Sequence, residues 1–222
     1  MWSEEVISYV NMIGIGILET LYMTLFSSLI AYVIGLPLGV LLVVTDKDGI
    51  APFVALNKVI GVIVNIVRSV PFVILLITVM PFTRWIIGTT LGATAVVVPL
   101  IIASAPYIAR LVESSLKEVD KGVIEAAQSM GATPFQIIFK VLIPEAKPSL
   151  IIGGAIAVTT ILSYSAMSGF VGGGGLGDIA IRYGYYRYES GTMLVTVVIL
   201  VLIVQIIQEL GSKWMKRTDK RI

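Results

Sequence analysis

Neither cysteine nor histidine occurs anywhere in the 222 residues. Disulfides, thiol nucleophiles, histidine-ligated metals and imidazole acid–base chemistry are therefore excluded. Charge is also scarce, at 14% of residues, where an ordinary globular domain carries about a quarter. The first eleven residues hold Glu4 and Glu5 but no Lys or Arg, so they lack the basic region of a secretory signal and none is expected there. No G-x-x-x-x-G-K-[ST] string is present, so no phosphate-binding loop of that type is expected. What fills the sequence instead is apolar: 57% hydrophobic residues, with a mean hydropathy of +0.96. Lipid is the solvent such a chain is built for, and residues 1–222 are expected to form one transmembrane domain.

Runs free of charge locate the spans, since about 20 apolar residues cross roughly 30 Å of hydrocarbon. They are Thr20–Thr45, Val59–Val67 continuing past Arg68 to Thr83, Trp85–Ala109, Pro148–Gly177 and Ser190–Gln208. The fold class is thus all-α, a polytopic bundle of five transmembrane helices. Apolar character in the first begins near Ile13, so that span is overlong and expected to tilt or bend at Pro37. Glu19, near its outer end, reads as an interfacial residue.

Basic residues are unevenly shared between the two sides. One side takes Lys47, Lys58, Arg110, Lys117, Lys121, Lys140, Lys147, Lys213, Lys216, Arg217, Lys220 and Arg221. The other takes Arg84, Arg182 and Arg187. Twelve against three orients the chain with its N-terminus outside and its C-terminus in the cytoplasm. The net charge of +2 reflects this anchoring, and nucleic acid is not an expected partner. Gly35-x-x-x-Gly39 and the group Gly153, Gly154 and Ala157 would let helices approach closely.

The cytoplasmic segment 111–147 has its own punctuation. Asp120 can cap a helix over Lys121–Met130, and Gly131 follows as a left-handed C-cap. Thr133-Pro134-Phe135-Gln136 restarts a helix with a capping box and proline at the first position, and Pro144 and Pro148 are expected to disturb its end. Val123, Ala126, Ala127 and Met130 would form an apolar face suited to a groove on another protein.

Glu125-Ala126-Ala127, then Gly131 after three intervening residues, and Val141-Leu142-Ile143-Pro144 after nine more resemble the EAA loop of ABC-importer permeases. Val141 and Ile143 depart from the usual I-x-L-P ending, although both are apolar. Further stretches resemble the permeases of methionine-type importers along nearly the whole chain. They include Asn65–Phe72, Ala105–Arg110, Tyr164–Gly169 and Gly174–Gly177 followed by Tyr183-Gly184-Tyr185. The resemblance implies a binding-protein-dependent permease in the cell membrane, with Glu125, Ala126, Ala127, Met130 and Gly131 in the segment that couples to an ATPase. It implies a second copy of this chain, a cytoplasmic ATPase dimer carrying ATP and Mg, and an extracytoplasmic binding protein delivering methionine. It implies no cofactor on this chain. Another amino acid or small polar substrate is the alternative.

Two other readings of the motifs are weaker. Ala126-Ala127…Gly131…Ile137 fits helix-turn-helix spacing, but Phe135–Val141 is too apolar for a DNA groove. Gly175-Leu176-Gly177-Asp178 matches the G-x-G-D string of intramembrane aspartyl proteases, which need two carboxylates sharing a proton. The remaining aspartates lie in cytoplasmic stretches.

Within the fourth span, Thr160, Ser163, Tyr164 and Met167 fall in one arc of about 100° at 100° per residue. Such a stripe should face protein or a water path rather than acyl chains. Met167 would stand at its end as a gate, beside a hinge or re-entrant turn at Ser168-Gly169 and Gly172–Gly175. Arg68 is the one charge well inside an apolar span. It either faces the pathway or snorkels to the interface.

Overall fold

The computed structural model describes residues 4–218. It contains nine α-helices and, among the described residues, no strand: α1 Glu4–Val44, α2 Val54–Ser69, α3 Phe72–Ile87, α4 Ala93–Lys117, α5 Lys121–Ser129, α6 Pro134–Ile137, α7 Ile143–Met167, α8 Gly175–Ile179 and α9 Ser190–Thr218. A π-turn over Ile138–Leu142 joins α6 to α7, a 3-10 turn over Ser168–Val171 follows α7, and a second π-turn over Ala180–Tyr185 extends α8. Four spans are long and apolar enough to cross a membrane, and the pair α2 and α3 makes a fifth if counted as one.

The spans differ from the charge-free runs in three places. The second is broken into two helices bent by 107°. Pro71 has no N–H to donate, and its ring pushes Val70 out of the helical region, so α3 starts afresh at Phe72. The third begins at Ala93 rather than Trp85, because Gly88 closes α3 at φ 85° and Gly92 adds a second left-handed residue. The fourth begins well before Pro148. The Ile143 N–H reaches back five residues to the Ile138 carbonyl, and this wider turn lets the helix run on past Pro144. By contrast α1 continues through Pro37 for 41 residues, about 60 Å at roughly 1.5 Å per residue.

The chain divides into two compact units. The first takes residues up to Ile30, Val70–Ala103 and Val158–Ile207. Its core joins Ile13 to Leu176 and Ile179, with Tyr9, Met12 and Ile199 packed around them. The second takes Ala31–Ser69, Ser104–Ala157 and the chain from Gln208. In it the G-x-x-x-G of α1 lies against α4. A Cβ at Gly35 would stand 2.7 Å from the Ala105 carbonyl oxygen, and one at Gly39 would stand 2.6 Å from that of Ala109. Only a missing side chain permits that approach. Tyr32 donates to the Leu150 carbonyl at 3.3 Å and Ser149 to Ser115 Oγ at 2.9 Å, tying α7 into the same unit.

Candidate functional site

The segment after α4 is built by its caps. Asp120 accepts the Gly122 N–H at 2.7 Å and opens α5. Gly131 turns the chain at φ 78°, where a side chain would be strained. Thr133 Oγ1 then accepts the Gln136 N–H, while Gln136 Oε1 accepts the Thr133 N–H at 2.9 Å. These closures hold the two short helices in one arrangement.

The side of α5 that is free carries Val123, Ala126 and Met130, the last 81% exposed. Phe135 (69% exposed) and Phe139 add to the exposed apolar surface of this segment, with ring centroids 4.5 Å apart. Ala127 differs from the sequence expectation: it is buried, because it stands 100° round from Ala126 and turns toward the body of the unit. Glu125 is exposed, but it lines a cavity shared with Lys121, Ile124 and Gln128 rather than the apolar face.

That cavity, about 450 Å³, lies between α5, the end of α4 and the loop after α1, which supplies Asp46 and Asp48. A chain of charges runs from it. Lys117 contacts Asp46 at 3.3 Å and Glu113 at 2.8 Å. Arg110 reaches Glu113 at 2.5 Å and Asn65 of α2 at 2.7 Å. Burial raises the Asp46 carboxyl, but Lys117 and the Lys47 backbone N–H outweigh it and hold it below the usual carboxylate range. The sequence reading gives Arg110 and Lys117 no ion-pair partner. Their shared partner on the same helix, Glu113, lies three residues from Arg110 and four from Lys117, a spacing that signals ion pairing in α4.

On α7, Ser163 and Met167 are exposed, Thr160 is half-buried, and Ile161 and Leu162 are buried. Tyr164 does not lie open. Its ring stacks on Phe72 with centroids 4.5 Å apart and planes within 4°, so it serves packing inside the first unit. Arg68 is exposed in the last turn of α2 and makes no ion pair among the described residues.

The glycine run after Met167 is a tight packed turn rather than a loose hinge. A Cβ at Gly169 would stand 2.5 Å from the Gly177 carbonyl carbon, and one at Gly177 would stand 2.2 Å from the Ala166 oxygen. Glu19, expected at an interface, instead accepts the Gly175 N–H at 2.6 Å, and Thr20 Oγ1 accepts the Leu176 N–H at 2.9 Å. Two residues of α1 thereby cap the start of α8, where N–H groups lack partners within the helix. Nothing in the sequence pairs positions 156 residues apart. Asp178 is buried and ion-paired to Arg182, whose Nε donates at 2.7 Å. The arginine holds Oδ2, while Oδ1 has no hydrogen-bond partner among the described residues, so this carboxylate is tied to a cation and not to a second carboxylate.

The profile of the binding-protein-dependent transport system inner membrane component matches residues 35–217. The chain belongs to this family. The match takes in the capped segment at α5 and α6, all of α7 and the glycine turn, and it leaves out most of α1. The probable D-methionine transport system permease protein MetI of Vibrio cholerae is 52% identical over 203 residues, 91% of this chain and 90% of that protein. The methionine import system permease protein MetP of Bacillus subtilis is 49% identical, over 91% of each. A solved structure of the MetNI methionine ABC transporter, in inward-facing conformations, superposes with a TM-score of 0.94 at 45% identity, over 99% of this chain and 100% of that one. Family and spans together make the chain a multi-pass membrane protein.

Proposed function

We propose that this chain is the membrane-spanning permease of an ATP-driven methionine importer, working as a homodimer in the cytoplasmic membrane. What carries this reading is the likeness, in sequence and in fold, to methionine permeases over nine-tenths or more of the chain. The basic residues favour an outside N-terminus and a cytoplasmic α5. There the exposed Val123, Ala126 and Met130 fit a groove on a separate ATPase, which holds the ATP and Mg. Gly131 fixes the direction in which that face points.

Transport follows from moving this face. ATP binding draws two ATPase subunits together, the capped helices travel with them as rigid pieces, and the path between the two permease copies opens outward. Hydrolysis reverses the movement. Ser163 and Met167, open on α7, face that path, and paired copies of Met167 close it. An extracytoplasmic binding protein presents methionine to the outer side. Lipid covers the exposed apolar flanks of α1 and α9, such as Leu18, Leu29, Leu202 and Leu210. Expression with its ATPase and binding-protein partners should let a methionine auxotroph lacking its own importer grow on low external methionine. Growth equal to that of cells without the chain would refute the reading.

A further inference from the structure

α5 has two faces. Val123, Ala126 and Met130 point one way, while Lys121, Ile124, Glu125 and Gln128 point about 180° away at 100° per residue and line the cavity of about 450 Å³. The opposite wall carries Asp46 and Asp48, and Lys117 closes the α4 side. Apolar floor comes from Val43, Ile50, Leu116 and Leu142. Carboxylates, ammonium groups and a greasy floor thus share one space. It stands where the long apolar helices α1 and α4 end.

Lys117 is already committed to Glu113 and Asp46. Asp48 meets only the solvent-exposed Lys47, at 3.8 Å, so the groups left to meet a ligand are Lys121 and Glu125 on the α5 wall and Asp48 facing them. A ligand matching that order has an anion, a primary ammonium a few bonds away and an apolar tail. We propose that the cavity binds an aminophospholipid headgroup, with the phosphate on Lys121, the ammonium on Asp48 and Glu125, and the acyl chains leaving along the apolar side. A quaternary choline has no N–H to donate to the carboxylates, and a glycerol headgroup has no cation, so neither matches. Filling this cavity wedges α5 against the end of α4, so the lipid sets how firmly the ATPase-docking face is held. The inference rests on the membrane-permease reading.

The permease–ATPase complex should be delipidated, offered equal amounts of phosphatidylethanolamine, phosphatidylcholine and phosphatidylglycerol, and its retained lipid read by native mass spectrometry. Retention of phosphatidylethanolamine about tenfold over the other two, the discrimination expected of charge-assisted contacts, is the predicted result. Asp48→Asn with Glu125→Gln, and separately Lys121→Gln, should abolish the preference, while Lys213→Gln on α9 should keep it. Equal retention of the three lipids, or a preference that survives both sets of substitutions, would overturn the proposal. Saturable binding of free O-phosphoethanolamine without any lipid preference would overturn the lipid source. Methionine uptake is measured in the same preparation, so intact uptake with no lipid preference sinks this inference and leaves the importer reading standing.

Discussion

The Glu19 carboxylate of α1 accepts the backbone N–H of Gly175, 156 residues later in the chain, at 2.6 Å. Gly175 sits at φ 76°, and a Cβ there would stand 2.7 Å from Thr20 Oγ1. Helix start, glycine turn and α1 are therefore one fitted junction.

Removing either side of that junction should cost stability without altering the lining of the path. Glu19→Ala leaves a backbone donor unmatched and should lower stability by roughly 1–3 kcal/mol. Gly175→Ala adds both strain and overlap and should cost at least as much. Thermal unfolding of the detergent-solubilised protein reads both. An unchanged midpoint for Gly175→Ala would mean that the turn is looser than its contacts indicate.

Topology is testable because the chain has no native cysteine. A cysteine at Thr89, beside the left-handed Gly88, should react with an impermeant maleimide added to intact cells. Cysteines at Ser129 and Ser212 should react only after permeabilisation. Labelling of Ser129→Cys from outside would place α5 on the wrong side for ATP.

Coupling depends on Gly131 and the free face of α5. Gly131→Val forces a β-branched residue to φ 78° and should cost about 1 kcal/mol or more, misdirecting the turn. Ala126→Trp puts an indole on the docking face. Both variants should reach the membrane at normal levels but fail to co-purify with the ATPase. Normal co-purification of Ala126→Trp would remove α5 from the interface.

Met167→Cys tests the gate. Two copies should cross-link in the resting complex and become reactive to small polar thiol reagents when ATP is trapped on the ATPase. A cysteine inert in every nucleotide state would leave Met167 a packing residue.

Local chemistry made segment 111–147 legible. Asp120, Gly131 and the Thr133–Gln136 box each act within four residues, and all three form as their spacing requires. Span ends were less legible, because hydropathy reports solvent and not backbone. Trp85–Gly92 is apolar enough to read as the start of the run Trp85–Ala109, yet Gly88 and Gly92 turn it, and Pro71 breaks a run that looks continuous. Long-range partners were not legible at all. Glu19 stood out as a lone carboxylate in apolar sequence, but its partner is a backbone N–H, which carries no sequence signal. Tyr164 shared an arc with Ser163 and Met167 and was drawn away by Phe72, a contact that helical periodicity does not encode.

This chain should move methionine when, and only when, an ATPase drives it. Reconstituted in proteoliposomes with its ATPase and binding protein, it should accumulate labelled methionine in an ATP-dependent manner. Unlabelled methionine should compete, and Ala126→Trp should reduce the rate to background. Uptake that persists without ATP or ATPase, or a fully active complex that carries other solutes and excludes methionine, would contradict the account.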